Sequence, residues 1–215
     1  MIAFDVEWKH EDDELLRAIN SQLPLDIALQ ELWRQDDFHP RYDALWRQYA
    51  YRIATPVARH PLLNRHVWQL IGESLDLERM NAAATICLGE QDFAAFGTPP
   101  QAGSANTVRQ VYLSGWELES DAFGTTYRYR IRGTAFLYHM VRRLVGMMAQ
   151  VGRSKISPSQ FEAILRSRDI GRAKVLAPAN GLILEAVGYP RCQHRESATR
   201  AAVPFTLAAA LEGKT

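Results

Sequence analysis

The hydrophobic positions at the start of the chain first alternate with polar ones and then take a helical spacing. Apolar and acidic residues alternate over residues 1–8, which predicts a half-buried strand. A helix is predicted from Asp12, because acids fill its first turn and leucines follow at helical spacing, and Pro24 ends it. Strands are also predicted over residues 26–34 and 41–54, and the second of these segments is rich in aromatic residues.

The second half of the chain has clearer boundaries. A helix is expected from an Asp76 cap to Gly89 with Cys87 in the core, and residues 97–107 form a loop rich in Gly, Pro and Ser. The elements predicted after the loop are strands 108–119 and 124–133, a helix over 135–152, a helix from the Ser157-Pro158 cap, and a strand over 182–187. This order predicts an α+β fold with helices on one face of a mostly antiparallel sheet.

Charge is distributed unevenly along the 215 residues, although the formal net charge is only +1. Residues 1–121 carry a net charge of −9, with 10 basic and 19 acidic side chains, whereas residues 122–200 carry +10, with 14 basic and 4 acidic ones. Of the 25 basic residues 21 are arginine, whose planar fork binds phosphate at two points and stacks on bases. This charge pattern favours a polyanion as the partner. The alternative explanation is that the many arginines reflect only the base content of the gene.

Several protein classes are excluded by the sequence. No stretch approaches the roughly 20 apolar residues of a membrane span, and the first residues lack the features of a signal peptide. Cys87 and Cys192 are too far apart in sequence to indicate a disulfide framework or a zinc site, and Cys192 with His194 is an isolated pair in a polar tail. We therefore expect a cytoplasmic protein without a metal.

The segment over residues 134–146 is the strongest candidate for chemistry. If its apolar stripe faces the core, His139, Arg142 and Arg143 lie on the other side of the predicted helix. An arginine near the start of a packed helix can pair with a catalytic carboxylate or with a phosphate. The spacing alone also fits a surface arginine beside a solvated histidine.

This segment and five others resemble, in the same order, motifs of the tRNA pseudouridine synthase A family. The resemblance covers about residues 2–190. The segments are N-x-x-L-P-x-D-I-A from Asn20, D-F-H-P-R-Y-D-A from Asp37, Y-A-Y from Tyr49, L-G-E-Q-D-F from Leu88, A-F-L-Y-H-M-V-R-R-L-V-G from Ala135, and the closing G-L-I-L-E-A-V-G-Y-P from Gly181.

The resemblance implies a fold and an activity. The expected fold consists of two ferredoxin-like halves around a basic cleft, residues 1–100 for an incomplete N-terminal half and 101–190 for the C-terminal half, with residues 191–215 as a tail. The implied enzyme is a homodimer that converts uridine to pseudouridine in the tRNA anticodon stem-loop, at tRNA positions 38 to 40, without cofactor or metal.

The resemblance also assigns roles to individual residues. Tyr49 matches the tyrosine that lies against the uridine, and Arg142 matches the arginine that pairs with the catalytic aspartate. Further candidates for RNA contacts, each of which could instead be a solvated or structural residue, are His39, Arg41, Arg109, His139 and Arg143.

The family's nucleophilic aspartate has no counterpart here, because its G-R-T-D-A-G-V-H motif is absent from the 215 residues. We expect Met1 to be an internal start, with the motif encoded upstream, and an in-frame stop codon just before Met1 would contradict this. The 215 residues alone are predicted to be inactive. The alternative is a non-catalytic RNA-binding remnant of the same fold, and a helical interaction domain without an RNA role would require the motif order to be accidental.

Overall fold

A computed structural model of the chain describes residues 1–98, 106–121 and 124–190. Within these ranges six strands form one open sheet in the order β2-β1-β5-β4-β3, and β6 also pairs with β1. The strands are β1 Trp46–Ala54, β2 Trp68–Gln69, β3 Gly89–Asp92, β4 Val108–Asp121, β5 Gly124–Gly133 and β6 Leu182–Gly188. Every pairing except β1 with β2 is antiparallel, which confirms the predicted α+β class.

The described residues contain four α-helices and two short 3-10 turns. They are α1 Asp12–Gln22, α2 Leu77–Ile86, α3 Met140–Gly152 and α4 Pro158–Ser167, with the turns at Pro61–Leu63 and Ala179–Gly181. The predicted caps are present: the Asp76 carboxylate accepts from the backbone of Arg79, and Ser157 forms a capping box with Gln160. No helix in the described ranges is long and apolar enough to cross a membrane.

The core lies between one face of the sheet and the helices α2, α3 and α4. Tyr127, Tyr129 and Ile131 are buried on this face of β5, as the alternation of a strand requires. The Tyr129 hydroxyl lies 2.8 Å from Ser114 Oγ, so its polar end is satisfied. Cys87, which is fully buried, belongs to the same core, as the helical spacing predicted.

Two predicted strands are absent, and a third strand and one helix begin later than predicted. Residues 1–8 and 26–34 form no strand, and the strand predicted over 41–54 begins only at Trp46. A strand exists only when a neighbour supplies hydrogen bonds, and no described segment pairs with residues 1–8 or 26–34. The helix predicted from residue 135 begins at Met140. Strands β2 and β3, which are short, were not predicted.

The division into two halves stays a prediction. Strands from both sides of the predicted boundary, which falls at residues 100 and 101, join in the one described sheet. The boundary itself and the predicted tail 191–215, including Cys192 and His194, lie outside the described residues.

Candidate active site

A cavity of about 610 Å³ lies between the amino-terminal turn of α3 and strand β1. Three of its lining residues come from separate elements: Tyr49 from β1, Arg142 from α3 and Leu182 from β6. The rest of the wall is formed by Thr98, Phe136, Leu137, Tyr138, His139, Met140, Val141 and Ala179. The fold therefore brings together Tyr49 and Arg142, the two residues to which the resemblance gave roles.

Arg142 is held in place by the backbone of a crossing segment, residues 173–177. Its Nε donates to the carbonyl oxygen of Ala177 at 2.7 Å, and the Ala177 amide donates to the Arg142 carbonyl at 3.1 Å. The first bond orients the side chain and the second holds the Arg142 backbone, while within the described residues no hydrogen bond involves the terminal guanidinium nitrogens. An arginine fixed in this way can bind a carboxylate or phosphate with little further loss of conformational entropy.

The crossing depends on Gly146. A Cβ there would overlap the carbonyl oxygen of Val175 and would lie 2.9 Å from its carbonyl carbon and 3.1 Å from the Ala177 amide nitrogen. These are backbone atoms, which cannot turn aside as a flexible side chain can. Only glycine therefore lets residues 173–177 pass over α3 closely enough for Ala177 to reach Arg142.

Tyr49 forms the opposite wall of the cavity. It pairs with Ile131 of β5 and Leu184 of β6, so strands on both sides fix its backbone. Its ring meets Phe136 edge to face, with ring centroids 5.1 Å apart and an interplanar angle of 88°. The side chain is half-buried, and it offers an aromatic surface to a ligand in the cavity.

The connection from β5 to α3 determines the shape of the cavity. Tyr138 forms a bridge with Thr98, in which the Tyr138 amide donates at 2.9 Å. Gly97 permits this approach, since a Cβ there would lie 2.8 Å from the Tyr138 carbonyl oxygen. His139 then takes a left-handed conformation with φ of 62° and caps α3. This strained residue explains why the helix begins later than predicted.

The cavity wall contains no carboxylate. Its eleven lining residues include neither Asp nor Glu, and within the described ranges no Asp or Glu forms an ion pair with Arg142 at 4.0 Å or less. The described residues also contain no group of three or more His, Cys, Asp or Glu side chains that could hold a metal. The cation of Arg142 and the amino-terminal end of α3 thus give the site a positive character.

Known proteins resemble this chain over most of its length. A family model described as tRNA pseudouridine synthase matches residues 83–190. A protein named tRNA pseudouridine synthase A from Roseiflexus sp. (strain RS-1) is 40% identical over 186 residues, covering 86% of this chain and 67% of the relative. The chain belongs to the tRNA pseudouridine synthase family.

Other relatives agree in name and extent. The proteins named tRNA pseudouridine synthase A from Chloroflexus aurantiacus (strain ATCC 29366 / DSM 635 / J-10-fl) and Burkholderia multivorans (strain ATCC 17616 / 249) are 38% and 36% identical, over 85% and 88% of this chain. They are covered over 65% and 68% of their own lengths. The chain therefore spans about two thirds of the synthases that it matches.

His139 lines the cavity of this synthase-family chain, whereas Arg143 does not. Burial, followed by the charges of Arg142 and Arg143, lowers the pKa of His139 below its ordinary value. Its ring stacks on Tyr138, with centroids 3.8 Å apart. Arg143 turns away from the cavity and donates to the Ala173 carbonyl at 3.2 Å. Its structural role is visible, whereas its contact with RNA stays a prediction.

His39 and Arg41 lie in a structured loop at the end of the sheet where β1 begins. Nδ1 of His39 accepts from the Arg41 amide at 3.1 Å, and the His39 amide donates to Asp43 at 2.7 Å. Arg47 joins this loop to the end of β5 through a 2.8 Å bond to the Thr134 carbonyl. The exposed His39 and Arg41 are thus held near the segment that leads into the cavity.

Arg109 does not line the cavity. It lies near the start of β4, opposite Gln91 of β3, and its guanidinium donates to the carbonyls of Asn106 and Val108 at 3.1 and 2.6 Å. Burial lowers its pKa. The structure therefore places Arg109 at the same end of the sheet as the cavity but two strands from Tyr49.

The arginines of β5 do not form a uniformly basic face. On the sheet face away from the helices, Arg128 pairs with Glu119 and Glu185, and Arg130 pairs with Glu117 at 2.9 Å. Burial opposes ionisation of Glu185, but hydrogen bonds from Gln48 and Arg128 and the nearby positive charges outweigh it and lower its pKa. Two of the 14 basic residues in 122–200, Arg128 and Arg130, are thus paired with glutamates across the strands.

Eight of the eleven lining residues were not among the sequence-based candidates, and they include Phe136, Tyr138 and Leu182. Phe136 and Tyr138 stand in the same motif as Arg142, and Leu182 stands in the closing motif. Gly181, the residue before Leu182, lies close to β1, since a Cβ there would lie 2.7 Å from the Tyr51 ring.

Proposed function

We propose that this chain provides the nucleotide-binding part of a tRNA pseudouridine synthase that acts on uridines at positions 38 to 40 of the anticodon stem-loop. The reaction breaks the bond between uracil N1 and ribose C1′, turns the base, and joins C5 to C1′. The proton on C5 is lost and N1 gains one, so that the product is an isomer of the substrate. A carboxylate serves as nucleophile or base in this chemistry.

The observation that carries this proposal is the convergence of Tyr49 and Arg142 on one cavity. Chemistry on a base requires that the base leave its stack and enter a pocket. The aromatic pair of Tyr49 and Phe136, at 5.1 Å, offers a stacking surface for uracil. Arg142, fixed by Ala177 at 2.7 Å, offers a cation for the catalytic carboxylate or for the phosphate of the flipped nucleotide.

We propose that Arg142 pairs with an aspartate that the described cavity does not supply. The eleven residues of the wall are aliphatic, aromatic or cationic apart from one threonine, and none can act as the carboxylate. The R-T-D motif does not occur in the 215 residues. The chain by itself is therefore expected to bind the stem-loop without isomerising it.

The test uses a stem-loop that carries 5-³H-uridine at positions 38 to 40. Isomerisation at C5 releases tritium into water, and fluorescence anisotropy measures binding of the same RNA. The 215-residue chain is expected to bind and to release no tritium, and Tyr49→Ala and Arg142→Ala are each expected to weaken binding. Tyr112→Ala is the matched control, since Tyr112 is 53% exposed and does not line the cavity. Tritium release by the 215 residues alone would refute the need for an added carboxylate.

A second candidate function is RNA binding without catalysis in the cell. The observation that favours it is the carboxylate-free cavity wall. The two candidates differ in the mass of the native protein. A mass above 24.4 kDa in the source cell supports the synthase, whereas 24.4 kDa supports the RNA-binding protein.

We propose further that the protein is a cytoplasmic homodimer, as the resemblance implies. Light scattering after gel filtration tests the first point, because the chain has a mass of 24.4 kDa and a dimer has twice that value. A monomer at micromolar concentration would contradict it. Cell fractionation followed by immunoblotting tests the second point, and recovery with the membrane pellet would contradict it.

A further inference from the structure

Tyr138 is an exposed aromatic residue on the cavity wall. Its relative exposure is 64%, whereas Tyr49 and Phe136 are half-buried. An aromatic ring in water exposes apolar surface that a ligand can cover. No function described above uses this ring.

The position of the Tyr138 ring is fixed from two sides. Its backbone is bridged to Thr98, with the Tyr138 amide donating at 2.9 Å. Its ring stacks on His139 with centroids 3.8 Å apart and an interplanar angle of 29°. Burial and the charges of Arg142 and Arg143 lower the pKa of His139 below its ordinary value, which favours the uncharged form of its ring. The pair forms a flat aromatic surface whose outer ring faces solvent.

We propose that Tyr138 stacks on the base next to the target uridine and replaces the stacking that this base loses when the uridine is flipped. The inference rests on the proposed function. When a nucleotide leaves the stack for the cavity at Tyr49, the base beside it exposes one face. Tyr138 lies on the wall of the same cavity. Because the RNA backbone joins the neighbouring base to the flipped uridine, that base stays close to this wall. Aromatic rings stack on all four bases, so this contact positions the RNA without reading its sequence.

The first test is the affinity for the anticodon stem-loop, measured by fluorescence anisotropy. Tyr138→Ala is expected to raise the Kd about tenfold, within the range found when a stacked aromatic residue is removed. Tyr138→Phe keeps the ring and is expected to bind as the unsubstituted chain does. Tyr112→Ala removes a tyrosine of similar exposure, 53%, away from the cavity and is expected to leave the Kd unchanged. Circular dichroism checks that each variant is folded.

The second test removes the base instead of the ring. Two further stem-loops carry an abasic site on the 5′ or the 3′ side of the target uridine. If Tyr138 stacks on one of these bases, Tyr138→Ala should not change the Kd for the stem-loop that lacks that base. The same variant should still raise the Kd about tenfold for the stem-loop that lacks the base on the other side. An unchanged Kd for Tyr138→Ala on intact RNA, or an equal effect on all three RNAs, overturns the inference. Failure of the unsubstituted chain to bind the intact stem-loop would instead overturn the proposed function, and the inference with it.

Discussion

Replacing Gly146 by alanine should displace the segment that anchors Arg142. The new Cβ would lie 2.9 Å from the Val175 carbonyl carbon and 3.1 Å from the Ala177 amide nitrogen, where ordinary contact begins at 3.4 Å. Residues 173–177 therefore have to retreat, and the 2.7 Å bond from Arg142 to Ala177 lengthens or breaks. Overpacking of this kind costs about 1–3 kcal/mol, and the better helix propensity of alanine returns at most about 1 kcal/mol.

Because the new Cβ would also overlap the Val175 carbonyl oxygen, the cost lies at the upper end of this range, and the net expectation is a decrease of about 2 kcal/mol in the free energy of unfolding. Urea unfolding followed by the fluorescence of the five tryptophans measures it. Stem-loop affinity should fall as well, because Arg142 loses its fixed direction. Gly115→Ala is the control, since among the described residues other than its chain neighbours only Asn81 Oδ1, at 3.7 Å, lies within 4 Å of a Cβ there, and alanine should be neutral or slightly stabilising. If Gly146→Ala matches the unsubstituted chain in both stability and affinity, the anchoring role of residues 173–177 is refuted.

Three further predictions concern titratable groups. In an NMR titration the ring protons of His139 should give a midpoint below pH 6.5, and Arg142→Ala should raise that midpoint by removing a positive charge. A midpoint at or above pH 6.5 in the unsubstituted chain would contradict the lowered pKa. The pKa of Glu185 is lowered from 4.5 in the fold, so this residue contributes stability that is present above pH 4.5 and is lost as the pH falls through its folded pKa. In urea titrations between pH 5 and 3, the Glu185→Gln variant should therefore lose less stability than the unsubstituted chain. Parallel plots of stability against pH for the two proteins would contradict this. Burial raises the pKa of the Cys87 thiol and removes it from solvent. In a Cys192→Ser variant, a thiol reagent at pH 8 should therefore label Cys87 only after unfolding. Rapid labelling of the folded protein would contradict the burial of Cys87.

Local signals allowed the elements around α2, β4, β5 and α4 to be predicted. Asp76 and Ser157 mark helix starts because their side chains satisfy amides in the next turn, which depends on neighbouring residues alone. The long alternation in β5 marks a strand with one buried face. Where structure depends on distant segments, sequence patterns failed. Residues 26–34 have the composition of a strand but no described neighbour to pair with.

The site was only partly predictable for the same reason. The family resemblance assigned Tyr49 and Arg142, but their convergence depends on the path of residues 173–177 over Gly146, which no local pattern records. The left-handed backbone of His139 is likewise invisible in a segment that otherwise has a helical spacing. The charge excess of residues 122–200 could not show which arginines are paired, since the glutamates beside Arg128 and Arg130 come from β4 and β6, which are distant in sequence from some of their partners.

Photocrosslinking can show whether the target nucleotide occupies the cavity between Tyr49 and Arg142. A stem-loop with 4-thiouridine at the target position is bound to the 215-residue chain and irradiated, and the crosslinked peptide is identified by mass spectrometry. We expect crosslinks to Tyr49 or to the cavity residues Phe136 and Tyr138. Crosslinks confined to the opposite sheet face, at Arg128 or Arg130, would contradict it.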